Sequence, residues 1–417
     1  MTGASGRPFL QDLRVLDLTT ALSGPYCTSI LADLGAEVIS VEPVTGDAMR
    51  SRRSSRDGIS YPFEMVHHDK RSIAVNLRDP RGAQVLAELA GTVDVVVENF
   101  RPGVLARHGL DARALRERDP RLVYCSISGY GQTGPLHDQG GVDLVAQGHA
   151  GLMSVTGEPD GPPCKAGFPV SDVGAGMWAA TAIIAALHRR SATGEGATID
   201  IALTDGLLAW AVWEVADYQM TGTVPAGLGT AHRLAAPYQA FPCGDGRWLA
   251  FAGLATRWPE FCDAIGAGEL LGDPRFASEA ARYAEREALA QIIGERLATA
   301  PRSTWLTRLR GIGIPAGPVN SIADAMDDDQ FRARDMWRQI RVGDTAVEVI
   351  NSPIKSDGCP GVRVPAPAVG QDTAGLLASL GYEAGTIAAY AAAGVISAPP
   401  VPEGPIRKGT GAADGRS

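Results

Sequence analysis

What most constrains the fold of this chain is a run of five short apolar segments, each followed by a turn and a helical stretch. The segments are 13–18 (LRVLDL), 37–42 (EVISVE), 72–77 (SIAVNL), 94–98 (DVVVE) and 122–127 (LVYCSI). Gly24-Pro25 marks the turn after the first, leading into a helix to about Leu34. Asp79-Pro80 opens the helix after the third, with Asp as the cap and Pro at the first helical position. Strands alternating with helices predict an α/β chain built on a mostly parallel, doubly wound sheet. Ligands of such sheets bind beyond the carboxyl ends of the strands. That places 19–24, 42–50, 99–103 and 128–134 near one rim.

Further along, a long apolar helix is expected from Asp172 to Arg190, a sixth strand over 197–201, and a helix from Thr204 to Met220. The pattern breaks over 222–236. The expected organisation is therefore a large domain over 1–221, a linker over 222–236, and a small α+β domain over 237–336 with a strand pair about Asp245-Gly246. Residues 337–395 form a segment returning to the large domain, and 396–417 a disordered tail of Pro, Gly and small polar residues.

The chain has 417 residues and a formal net charge of -9. An acidic chain has no global pull toward nucleic acid or anionic membrane, so an anionic ligand needs a local basic pocket. Six scattered cysteines with no CxxC spacing predict reduced thiols and no zinc site. No signal peptide is read at the N-terminus, and no apolar run of about 18 residues is seen. A cytoplasmic protein is expected.

Several chemistries are poorly supported. The turn after the first strand, Ala21-Leu22-Ser23-Gly24-Pro25, lacks the glycines of a dinucleotide site. Ser126-Ile127-Ser128-Gly129 lacks the first glycine of a serine-hydrolase elbow. No metal site is expected, and His67-His68-Asp69, the one compact cluster, reads as a solvated loop, the alternative being that one of the two histidines faces substrate. Two features point elsewhere. In Gly167–Met177 (GFPVSDVGAGM) Asp172 stands among small residues where a long helix begins. It is either a helix cap or an ionised carboxylate that a helix N-terminus keeps ready as a nucleophile. Lys70, Arg71, Arg78, Arg101 and Arg107 form a basic set along the rim, suited to phosphate.

At these residues the chain resembles the family III CoA-transferases, among them formyl-CoA transferase and carnitine CoA-transferase, with α-methylacyl-CoA racemase as a relative. The resemblance runs from about Leu13 to Tyr382. It is carried by LDLTTALSGPYCT, LGAEVISVEPVTGDAMR, KRSIAVNLRDPRG, VVVENFRPGVLARHGL, SISGYGQTGP, GVDLVAQGHAGLMSVTG, SDVGAGM, TGEGATIDIALTDG, APYQAFPCGDG and GIPAGPVNSIADA, in family order. It implies a Rossmann-like large domain, a smaller domain and an interlocked homodimer. It also implies CoA as a co-substrate with no permanently bound cofactor, and acyl-CoA and carboxylic acid partners, succinyl-CoA being a possible donor. The catalytic aspartate of the family falls on Asp172. The CoA-binding positions fall on Val75, Arg78, Asn99, Phe100 and Arg107, with Arg78 and Arg107 against phosphate or adenine.

Departures narrow the expectation. Val142 and Ala255 stand where the racemase branch has its histidine and glutamate, which argues against racemisation. Leu22 replaces a glutamine of formyl-CoA transferase, and its glycine-rich flap is not found. Leu22, Met65, Tyr130, Val142 and Met153 are candidates for a less polar acyl pocket, or are packing residues. The expected activity is CoA transfer from an acyl-CoA to an acid through a covalent aspartyl intermediate. The alternatives are an acyl-CoA isomerase with intramolecular CoA transfer, and a silent acyl-CoA-binding protein.

Overall fold

The computed structural model describes residues 6–51, 55–252 and 256–399. Six strands follow the apolar segments: β1 (Arg14–Leu18), β2 (Glu37–Glu42), β3 (Arg71–Val75), β4 (Val95–Glu98), β5 (Val123–Ser128) and β6 (Ala197–Ala202). They lie in the order β3-β2-β1-β4-β5-β6, and every neighbouring pair is parallel. Val15, Leu16, Ile39, Ile73 and Val96 are fully buried, as expected for strands covered on both faces. The order reverses between β1 and β4, so the crevice beyond their carboxyl ends is the expected place for a ligand.

A further strand, Ile396–Ser397, pairs antiparallel with β3. Residues 396 and 397, expected in a disordered tail, are therefore part of the sheet, because Val395 and Ile396 bury their side chains and close its edge. The remainder of that expected tail, 400–417, lies outside the described residues.

The helices that matter for the site are α1 (Ser23–Asp33), α2 (Tyr61–His67), α3 (Pro80–Ala90), α4 (Ala112–Arg118), α5 (Asp143–His149) and α6 (Val170–Thr193). Helix α3 starts as the sequence dictates: the Asp79 carboxylate accepts the Arg81 N–H at 2.9 Å, and Pro80 opens the helix. The helix expected over 204–220 is instead two, Leu203–Leu208 and Val212–Thr221, interrupted at Ala211 with ψ 42°. Helix α6 is long and apolar enough, by length and composition, to cross a bilayer, which the sequence reading had not seen. In the fold Ala175, Ala179, Ala180 and Ile183 are buried along it, as in the core helix of a globular α/β unit.

The chain divides into two compact units. One holds residues up to Gly141, Asp172–Leu203 and Arg338 onward, and is centred on the seven-stranded sheet that these six strands form with Ile396–Ser397. The other holds Val142–Ser171 and Thr204–Trp337. It is larger than the 237–336 expected, and the segment 222–236, expected as a linker, lies inside it. Its core is formed by β7 (Gln239–Pro242), β8 (Trp248–Phe251) and β9 (Ala316–Pro318), an antiparallel sheet on which Phe261, Phe276, Leu289, Ile293, Trp305 and Leu309 pack.

Candidate active site

The loop after β1 is fixed on both sides. Asp17, buried at the end of β1, accepts the Thr19 N–H at 3.0 Å and the Thr28 hydroxyl at 2.7 Å. The Thr20 N–H donates to Asn99 Oδ1 at 2.9 Å, and Asn99 Nδ2 donates back to the Thr20 carbonyl at 2.8 Å. Asn99, expected at the CoA site, thus clasps the loops after β1 and β4 across the switch point. Gly24 is required here, since a Cβ would lie 2.2 Å from the Thr19 Cβ. Leu22 occupies the N-cap position of α1 and offers no side-chain cap, and with Pro25 lacking an N–H the first-turn donors without an intrahelical partner are those of Ser23 and Gly24.

Asp172 is half-buried in the first turn of α6. The helix starts at Val170, so Asp172 lies inside it and not at its cap position, which departs from the simpler of the two sequence readings. One residue in this turn and one in the next are held tightly. A Cβ on Gly176 would approach the Ser23 carbonyl oxygen to 2.7 Å, so this glycine lets α6 press against the start of α1. Ser171 donates its N–H (3.0 Å) and its hydroxyl (2.7 Å) to Asp143 Oδ1. The Asp143–Ser171 pair was missed in the sequence. The only signal was the acid of Gly141-Val142-Asp143, read there for its neighbour Val142.

The basic set divides. Lys70 is not a ligand contact: it is fully buried, with Nζ 2.9 Å from Asp17 Oδ2, 2.8 Å from Thr28 Oγ1 and 3.2 Å from the Pro25 carbonyl. Burial lowers the pKa of its ammonium, while Asp17 works against that shift. Arg71 pairs with Glu37 and Asp372. Arg101 is exposed beside Gly140. By contrast, Arg78 and Arg107 line one open groove of about 650 Å³ with His108, Arg118, Leu77 and Gln84. Neither Arg78, Arg107 nor Arg118 forms an ion pair among the described residues, so the groove is a net basic site. Val75 is 3% exposed in the core and stands in register with Ile396 of the edge strand, so its side chain does not meet a ligand. Phe100 packs on the same core, its N–H donating to Glu98 Oε2 at 2.8 Å.

The acyl-pocket candidates are dispersed. Leu22 and Tyr130 are half-buried in the first unit. Met65 packs with Ile340, Val347 and Val349, and its sulfur accepts the Ile350 N–H at 3.4 Å, which is a packing role. Val142, 61% exposed, and Met153, half-buried, belong to the second unit. Ala255 lies outside the described residues.

The solvated loop expected at His67-His68-Asp69 is overturned, since both histidines are 2% exposed. His67 stacks on Phe63 with ring centroids 4.0 Å apart, and burial, with Lys70 and Arg50 nearby, holds its pKa well below the ordinary range. His68 Nδ1 lies 3.3 Å from Asp69. Among the described residues no group of three His, Cys, Asp or Glu side chains is placed to hold a metal ion.

Comparison with known proteins places these features in a family. The model of "CoA-transferase family III" matches residues 10–373. A succinate–glutarate CoA-transferase of Agrobacterium fabrum is 38% identical over 384 residues, 90% of this chain and 96% of that one. An acetyl-CoA:oxalate CoA-transferase of Acetobacter aceti is 38% identical over 348 residues, 83% of this chain and 88% of that one. The crystal structure of a CAIB/BAIF family protein from Brucella suis superposes with a TM-score of 0.80 at 35% identity, covering 90% of this chain and 99% of that one. The chain accordingly belongs to CoA-transferase family III, and with it to the enzymes that transfer CoA.

Proposed function

We propose that the chain transfers CoA from a dicarboxylic acyl-CoA, succinyl-CoA being the first to test, to a carboxylic acid, with Asp172 as the covalent carrier. The observation that carries this is the placement of a carboxylate on the first turn of α6, packed through Gly176 onto the start of α1 at the sheet's switch point. Relatives named for succinyl-CoA with glutarate, mesaconate and D-citramalate support the donor.

The chemistry needs no net hydrolysis. An Asp172 carboxylate oxygen attacks the donor thioester carbonyl, forming a mixed anhydride and expelling CoA thiolate. The thiolate attacks the aspartyl carbonyl, giving an aspartyl-CoA thioester and releasing the donor acid. The acceptor carboxylate attacks that thioester, giving a second anhydride and thiolate. The thiolate then takes the acceptor's acyl carbon and restores the Asp172 carboxylate. The Ser23 and Gly24 N–H groups at the uncapped start of α1 are the donors this reading assigns to the oxyanions formed on the way, Pro25 having none. The groove with Arg78 and Arg107 takes the phosphates of CoA.

The proposal includes a homodimer, with the sheet-bearing unit as a Rossmann-like large domain. Support for the dimer is the helix Val212–Thr221 of the second unit, which has no buried residue and exposes Trp213, Tyr218 and Met220, an apolar face that requires a cover. Sedimentation of the full chain should give a single species of twice the chain mass.

The chemical test is direct. Succinyl-CoA and glutarate are incubated with the enzyme and quenched with hydroxylamine, and the peptide carrying Asp172 is weighed by mass spectrometry. An Asp172 hydroxamate, with loss of transfer in Asp172→Ala, is the expected result. Active enzyme with an unmodified Asp172 peptide would refute the covalent route.

A further inference from the structure

We infer that Asp143 is a positioning residue for the nucleophile, its carboxylate serving α6 as the cap that the chain before the helix does not supply. This rests on the reading of Asp172 as the covalent carrier. Helix α6 is 24 residues long, and the first-turn N–H groups of any helix lack intrahelical partners. Ser, Thr, Asn or Asp immediately ahead of a helix normally accepts one of them. Here Gly167-Phe168-Pro169 precedes Val170 and offers no side-chain oxygen. Asp143 Oδ1, on the first turn of α5, accepts the Ser171 N–H at 3.0 Å and the Ser171 hydroxyl at 2.7 Å.

The carboxylate is itself oriented. Gln147, one turn along α5 and fully buried, donates Nε2 to Asp143 Oδ2 at 2.8 Å. The other end of the same amide, Gln147 Oε1, accepts the Ala166 N–H at 2.9 Å. One face of α5 thus holds both the strand of chain leading to α6 and the second residue of the helix. Ser171 is 1% exposed, so these bonds are not shared with bulk water. Asp172 is the next residue, so the backbone from which its carboxylate projects is set by the same turn. Fixing that turn is a negative charge at a helix N-terminus, which the helix dipole favours.

Three substitutions test the inference with the whole enzyme. Asp143→Ala removes the acceptor and should lower kcat by about 10- to 100-fold, the loss expected for a displaced reacting group, with CoA affinity unchanged. Hydrogen exchange at the Ser171 amide should quicken. Asp143→Asn keeps an oxygen for Ser171 but turns an amide NH2 toward the NH2 of Gln147, and should also be slow. Asp143→Asn combined with Gln147→Glu restores every bond, since the introduced carboxylate accepts both from the introduced amide and from Ala166. Recovery of kcat in that double variant is the expected result. A wild-type kcat in Asp143→Ala, or a double variant no faster than Asp143→Asn, would overturn the inference. If Asp143→Ala does not fold, the Asn and Asn/Glu variants decide alone. Asp172→Ala is assayed beside them: activity there overturns the nucleophile, whereas an inactive Asp172→Ala with a fast Asp143→Ala overturns only the role of Asp143.

Discussion

Lys70 and Asp17 form an ion pair of 2.9 Å in which neither side chain is exposed. The pair ties the end of β1 to the segment before β3. It also reaches the first turn of α1 through the Pro25 carbonyl. Removing one partner leaves a buried charge uncompensated, which costs about 3–5 kcal/mol. Lys70→Met should therefore lower the unfolding midpoint in urea strongly. CoA affinity of the folded fraction, measured by calorimetry, should stay within about 2-fold, since the pair has no access to solvent. A large loss of CoA affinity at full stability would restore Lys70 to the ligand site.

Arg78 and Arg107 face one groove, which Glu88 also lines, and neither forms an ion pair among the described residues. Hydrogen bonds to charged groups contribute about 1.5–3 kcal/mol each, so either Arg78→Ala or Arg107→Ala should raise the CoA Kd by about 10-fold or more. The Kd for CoA should also become less sensitive to salt. Unfolding midpoints should hardly move, because both side chains are exposed.

Gly176 lies where α6 meets the Ser23 carbonyl, with 2.7 Å available to a Cβ. The backbone of α1 is on the other side, so nothing flexible can yield. Gly176→Val should cost about 1–3 kcal/mol through overpacking. It should lower kcat more than it raises the KM for acyl-CoA, because the turn carrying Asp172 is displaced. Unaltered kinetics in a soluble Gly176→Val enzyme would separate this contact from catalysis.

Asp33 at the end of α1 is buried, and its pKa is raised to about 6, chiefly by burial, with His68 opposing and Asp69 reinforcing the shift. The folded state therefore holds the proton more tightly than the unfolded chain, for which the ordinary value is 3.8. Stability associated with this group is full below the unfolded value and is lost as pH rises toward 6. Above that, the ionised group costs up to about 3 kcal/mol at about 1.4 kcal/mol per pKa unit. Asp33→Asn should raise stability at pH 7–8 and flatten its decline between pH 4 and 6, as read by thermal melts across pH. A variant less stable than wild type at pH 8 would show that the charge is compensated.

Parts of the site could be read in the chain itself. Glu37–Glu42 matches its strand residue for residue, because Val38, Ile39 and Val41 make it a mainly apolar, β-branched stretch suited to a parallel strand buried on both faces. Asp79-Pro80 opened α3 because capping is local chemistry between residues two positions apart. Arg78 and Arg107 could be paired by the rim argument and by resemblance. Lys70 could not be told from them, since a charge beside a strand reads the same whether it faces solvent or Asp17. The same holds for His67 and His68, taken for a solvated loop and found buried.

From its residues alone the chain determined the strands, the order of their helices and the aspartate at the head of α6, because these depend on periodicity and on neighbours within a few positions. Tertiary structure alone decided which charges are buried, which glycine presses on which carbonyl, and that Ser171 is held by Asp143, 28 residues earlier in the chain. Those outcomes depend on what surrounds a side chain in space. Burial multiplies the worth of a charge or a hydrogen bond, and no local pattern in the sequence records it.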